Sequence, residues 1–193
     1  MRTVGREGII EAALSVLASH GALGMTMRTI ADAAGVTEAA IYRHFRSKRH
    51  LIDELFVRCA DLLFGHLFTA QEGLADPAER LVALALAFFD FSIAHPREYR
   101  LIASVHLHQL QIGHVQHERL PKRLFVEAAH ELLGEGTSAE EAEALAGAII
   151  GAVMGVLLML DVGAVTDLAL ARRQVAQVAW CLAHRSGHLA QRP

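Results

Sequence analysis

Cysteine, proline and tryptophan are scarce: two, four and one in 193 residues. The two thiols, Cys59 and Cys181, lie too far apart in sequence to found a disulfide scaffold. With little proline, and a hydrophobic fraction of 53% against about 45–50% in ordinary domains, the chain is not a disordered one. Strand signals are almost missing too, since two-residue apolar alternation is rare. The strongest membrane candidate, Ala144–Leu160, is 17 uncharged residues rich in Ala and Gly. That falls short of the roughly 20 apolar residues a spanning helix needs, so it reads as a buried or interfacial helix. No nucleophile elbow, phosphate loop or His-Glu-x-x-His set occurs, and no carboxylate pair stands out as general acid and base. No catalytic residue is predicted, and the chain does not read as an enzyme. Met1 to Arg6 leads into a mixed amphipathic stretch rather than a secretory leader, so a cytoplasmic address is expected.

What is present is helix punctuation. Apolar residues recur at spacings of three and four, and each run is bracketed by capping residues. A first helix is predicted from Thr3 to Gly21, a second after Thr26 and before Gly35, and a third from Thr37 to His44 or Phe45. Ser47 opens a fourth that runs to Gly73, and Asp76-Pro77 opens a fifth that ends at His95. Pro96 to about Gly113, Pro121 to Gly134, Ser138 to before Gly163, and Thr166 to about Gly187 complete an all-α chain of nine helices. The charge is uneven as well. Residues 1–50 carry a net +3 and the remainder a net −6, which fits a polyanion-binding head on an acidic body.

The informative segment is Thr26–Leu51, TMRTIADAAGVTEAAIYRHFRSKRHL. Two short helices are joined by Ala34-Gly35-Val36, where Gly35 accepts a turn that a β-carbon would disfavour. Neither helix is stable alone, so Ile30, Ala31 and Ala34 are expected to pack on Val36, Ile41 and Phe45. This is the layout of a helix-turn-helix, whose second helix presents its N-terminal half to the major groove of DNA. Thr37 offers a hydroxyl and backbone amides to a phosphate, and Glu38, Ala39 and Ala40 lie nearest the base edges. Ala can touch a thymine methyl and Glu can accept from cytosine N4, although Glu38 would also repel nearby phosphates; it either reads a base or points away. Tyr42, Arg43, His44 and Lys48 can reach backbone phosphates, and Arg28 on the second helix joins the candidate set.

Residues 5–55 resemble the DNA-binding head of the TetR (tetracycline-repressor-like) family of bacterial regulators. The landmarks are Gly21, Thr26, Ile30-Ala31, Ala34-Gly35-Val36, Ile41-Tyr42, His44-Phe45, Ser47-Lys48 and Leu51. The resemblance implies a DNA-binding domain over residues 1–47 and a ligand-binding and dimerisation domain over 48–193. It implies a homodimer in which the eighth and ninth helices form a four-helix bundle, with two heads in successive major grooves of a palindromic operator. It further implies a cavity whose small apolar effector shifts the fourth helix and releases the DNA, most simply as a repressor. The family commonly has Lys, Arg or a small residue with Gly just after the threonine, where this chain has Glu38-Ala39-Ala40. A second reading keeps the DNA-binding head but gives the body a protein partner instead of a small molecule.

For the implied pocket the candidates are Phe88, Phe91, His106, Leu110 and Met154. For the dimer interface they are the stripe Gly147, Gly151 and Gly155, which allows close helix crossing, with Val175, Val178, Trp180 and Leu182 on the last helix. His106, His108, His114 and His117 form a run, but Gly113 interrupts it and no Cys, Asp or Glu stands at ligand spacing, so no metal or other cofactor is predicted. Cys59 and Cys181 lie among apolar residues at helical spacing and read as inert buried thiols; Phe64, Phe68, Phe88, Phe89 and Phe91 read mostly as core.

Overall fold

The structure is a computed structural model that describes residues 4–106 and 120–190, with side chains described as far as residue 186. Among the described residues there are nine α-helices and no strand. They are α1 (Arg6–Gly24), α2 (Met27–Ala34), α3 (Glu38–Tyr42), α4 (Lys48–Gln71), α5 (Pro77–Ala94), α6 (Pro96–His106), α7 (Pro121–Leu133), α8 (Ala139–Asp161) and α9 (Leu168–Ala190). The expected extension of α6 to Gly113 lies outside the described residues.

Local chemistry sets most of the boundaries. Gly21 has φ 67° and ψ −177°, which breaks the helical path of α1 where the sequence placed its end, and one further turn follows to Gly24. The Asp76 carboxylate accepts from Ala78 N–H at 2.9 Å ahead of Pro77, and the Ser47 hydroxyl accepts from His50 N–H at 3.0 Å. The start of α9 differs from expectation. The helix begins at Leu168 rather than Thr166, with Asp167 as the cap, its carboxylate accepting from the N–H groups of Ala169 (2.8 Å) and Leu170 (3.0 Å). A carboxylate is the stronger acceptor and its charge suits a helix N-terminus.

At α8 the predicted cap is a reciprocal box. Ser138 Oγ accepts from Glu141 N–H at 3.2 Å, and Glu141 Oε2 accepts from Ser138 N–H at 2.8 Å. Ser138→Ala is expected to cost about 1 kcal/mol in urea unfolding, because it strips one orphan helix N–H of its acceptor. The Ser138 N–H, and then its hydroxyl, hold the Glu141 carboxyl below its ordinary value. A carboxyl depressed on folding stabilises above its unfolded pKa and loses that contribution as pH falls through the folded one. The gap between wild type and variant should therefore narrow in acid; a gap that widens in acid would contradict the box.

The described residues fall into two compact units. One holds α1–α3, the first part of α4 up to Asp61, and α6. Its core is Ile9, Ala13, Leu14, Leu17, Ile30, Ile41, Phe45, Leu51, Leu55 and Leu101, with Ala34 and Val36 packed at the margin. Charges tie its helices on the outside: Arg6 pairs with Glu54, Arg58 with Glu7, and Arg97 with Glu11 at 3.2 Å. Arg100 donates to the Ala18 carbonyl at 2.8 Å, satisfying an acceptor in the last regular turn of α1. Cys59 is buried in this unit, and loss of water, then the Glu98 charge, pushes its thiol up to about 12. A thiol with so little thiolate is inert at neutral pH.

The other unit holds the rest of α4, with α5, α7, α8 and α9. Phe88, Phe89, Phe91, Phe125, Ile149, Val153 and Val175 are buried there. Arg172 makes a two-pronged pair with Asp90 at 2.8 and 2.9 Å, and Arg80 donates to Glu131 at 2.6 Å. Two expectations fail in this unit. Phe68 is half exposed, stacked on the half-buried Phe64, and Cys181 is exposed rather than buried. Helical spacing assigns residues to a common face but does not say which faces find neighbours. By length and composition α8 could cross a membrane, yet Ala142, Leu145, Ala146, Ile149, Ile150, Val153 and Leu157 along one side of it are buried in the fold.

Candidate nucleic-acid interface

The helix-turn-helix forms from caps at both ends and a shared apolar seam. Thr26 Oγ1 accepts from Thr29 N–H at 3.1 Å, and Thr26 N–H donates back to Thr29 Oγ1 at 2.9 Å. The Thr29 hydroxyl also reaches the Gly24 carbonyl at 2.8 Å, fixing the entry to α2. Sequence reading found Thr26 but missed Thr29, since the usual box partner is Glu or Gln. At the other end Gly35 sits at φ 66° and ψ 33°, the left-handed region. Its N–H points back at the Ala31 and Asp32 carbonyls, while Val36 N–H donates to Ala31 at 3.0 Å, as a Schellman cap requires.

The turn delivers Thr37 as the cap of α3, its Oγ1 accepting from Ala40 N–H at 3.2 Å. Its own hydroxyl hydrogen is left to donate outward. Ile41 is 0% exposed and anchors α3 to the core, and its carbonyl accepts from the N–H groups of His44 and Phe45, both at 2.9 Å. Phe45 lies under the Arg6 guanidinium, 5.0 Å from ring centroid to carbon, with the His50 ring beside it at 5.9 Å. A five-residue helix is thus held by one buried Ile and the Phe that follows it.

The opposite face is open. Thr37, Glu38, Ala39, Tyr42, Arg43 and His44 are exposed, Ala40 and Lys48 are half-buried, and Arg28 is exposed on α2. At about 100° per residue, positions 38, 39, 42 and 43 fall on one side and 41 on the other. Of the predicted DNA-facing residues, Glu38, Ala39, Tyr42 and Arg43 thus share the exposed side of α3, while Arg28 and Lys48 stand on α2 and α4. Arg46, exposed in the turn before α4, was not among them. The concentration of cations in residues 43–49 was the signal that could have included it.

The remaining predicted sites separate. Phe91 is fully buried and Phe88 nearly so, with the His66 ring edge-on to Phe91 at 5.4 Å; Met154 is half-buried in the same unit. His106 is exposed in the other unit, and Leu110, His108, His114 and His117 lie outside the described residues. Gly147, Gly151 and Gly155 are exposed along α8, with open space where each β-carbon would stand. On α9, Trp180 is half exposed with its ring tilted against that of His184, Val178 and Leu182 are half-buried, and Val175 is already buried within its own chain. Among the described residues no group of three His, Cys, Asp or Glu could hold a metal ion.

Comparison with known proteins places this geometry. Residues 9–55 match the model of the bacterial regulatory proteins, tetR family. The transcriptional repressor KstR2 of Mycobacterium tuberculosis is 36% identical over 85 residues, 44% of this chain and 42% of that protein. The match thus spans less than half the length of that curated relative. A TetR-like transcriptional regulator from Rhodococcus sp. RHA1 superposes with a TM-score of 0.69 at 24% identity, covering 93% of this chain and 96% of that one. The regulator FadR from Bacillus subtilis, solved with stearoyl-CoA, gives 0.67 at 18% identity over 91% and 97% of the two chains. At such identities the structural likeness establishes the shared fold. The sequence likeness to the tetR family of bacterial regulatory proteins thus lies in residues 9–55, and the rest of the chain shares the fold of TetR-like structures.

Proposed function

We propose that the protein is a transcriptional regulator, most simply a repressor, that binds a palindromic duplex operator as a homodimer and leaves it when a small apolar effector binds. The observation that carries the reading is the exposed face of α3. It carries the exposed Tyr42, flanked in sequence by Thr37, Arg43, His44 and Lys48, on a well-packed head, and cations are what a phosphate backbone selects. Residues 1–47 serve as the DNA-binding domain and 48–193 as the effector-binding and dimerisation domain.

The dimer draws support from α8 and α9. An open stripe of Gly147, Gly151 and Gly155, continued by the exposed Leu158 and Val162, suits a second helix at close range, and the exposed Trp180 suits an anchor. An effector with an apolar portion draws support from FadR of Bacillus subtilis, solved with stearoyl-CoA, whose fold this chain shares. No catalytic step enters the account, and the cytoplasm is where such an operator would be met.

The test is capture of fragmented genomic duplex by the purified full chain at low salt, with sedimentation of the captured species. The account expects a small set of fragments sharing an inverted repeat, bound by two chains. Retention of fragments in proportion to their abundance would contradict it.

A further inference from the structure

The first turn of α3 offers only one side chain able to hydrogen-bond a base edge. Ala39 and Ala40 carry only methyl groups, and Ile41 is turned into the core of the head. Glu38 is exposed, and no hydrogen bond or ion pair ties its carboxylate to another described residue. Its charge is therefore not spent within the protein. The two small residues beside it let the α3 backbone approach the groove closely, which brings a side chain of glutamate length within reach of the bases.

A carboxylate can only accept hydrogen bonds. Phosphates, guanine O6 and N7, and thymine O4 offer it no donor, so in the major groove its partners reduce to the amino groups of cytosine and adenine. Adenine sets the N7 acceptor beside its N6 amino group, which opposes a second negative oxygen, whereas cytosine presents N4 alone. A buried charge without a donor would be costly, so the groove accepts Glu38 only where such a donor stands. On the reading of α3 as the helix that enters the groove, we infer that Glu38 is a specificity-determining residue that selects a cytosine at one position in each half-site. Ala39 and Ala40 then add contact with thymine methyl groups, and the cations around α3 contribute affinity without sequence choice.

The experiment is selection from a random duplex library by the full chain and by its Glu38→Ala and Glu38→Gln variants, with far-UV circular dichroism as a folding control. Glu38 is exposed and leaves the Thr37 cap in place, so both variants should keep the wild-type spectrum. The wild type should enrich a half-site with one dominant cytosine. Glu38→Ala should lose discrimination at that position by about tenfold while keeping its other preferences. Glu38→Gln should move the preference there toward adenine, whose N6 and N7 an amide can engage together. The same consensus from all three proteins would overturn the inference and leave groove reading by α3 intact. So would a uniform gain in affinity on removing the charge, since the carboxylate would then act only by repelling phosphate. A wild type that enriches no sequence would overturn the proposed function itself, and this inference with it.

Discussion

Truncating Phe45 to alanine is expected to destabilise the head by about 3–5 kcal/mol and to abolish specific duplex binding. The side chain is fully buried where α3 meets α4, under Arg6 and against His50, among Ile30, Ile41 and Leu51. Its removal loses the apolar transfer energy and leaves a void that the surrounding helices cannot close without moving. Against a total stability of about 5–15 kcal/mol the loss is severe. It also strikes function directly, because Ile41 and Phe45 are what hold the outward face of α3 in place. Urea unfolding followed by circular dichroism measures the first effect, and duplex binding at fixed salt the second. Phe45→Leu should recover most of both. A Phe45→Ala protein within about 0.5 kcal/mol of wild type would behave like a surface variant, and would mean that α3 does not depend on this contact.

Binding to the operator is expected to collapse with salt. Each neutralised phosphate contributes about −0.9 to the slope of log affinity against log salt. Arg28, Arg43 and Lys48 supply three cations per head, so a pair of heads neutralising about six phosphates should lose about 10³ in affinity between 50 and 200 mM salt. Lys48→Ala removes one phosphate contact per head, so the slope should shrink by about 1.8 while the preferred sequence stays the same. Fluorescence anisotropy across a salt series measures both. A slope near zero would mean that the cations around α3 face no polyanion. A changed consensus in Lys48→Ala would move that residue from phosphate contact to base reading.

The head was largely legible because its determinants are local. Thr26, Gly35, Thr37 and Ser47 act on backbone groups within four residues of themselves, and Gly35 has the positive φ that its place between two helices demands. The seam of Ile30, Ile41 and Phe45 is likewise short in sequence. Thr29 escaped because a hydroxyl can do the work of the usual carboxylate, and Asp167 because a start at Thr166 puts the capping residue inside the helix. The misreadings of Cys181 and Phe68 have another origin. Periodicity gives a helix its faces, but burial depends on which faces tertiary neighbours cover, and those neighbours are distant in sequence. The pairs of Arg97 with Glu11 and Arg172 with Asp90 join residues more than 80 positions apart, and no local pattern announces them. The same holds for Val175, whose spacing matches that of Val178 and Leu182 but whose side chain is taken up by its own chain.

The central claim is that α3 occupies the major groove, once from each subunit of a pair. Methylation interference tests it most directly, because dimethyl sulfate modifies guanine at N7, on the major-groove edge that α3 would cover. The account predicts that single methylated guanines block binding in two clusters, about 10–10.5 base pairs or a multiple of that apart. Binding that tolerates a methyl group at every guanine N7 would contradict it.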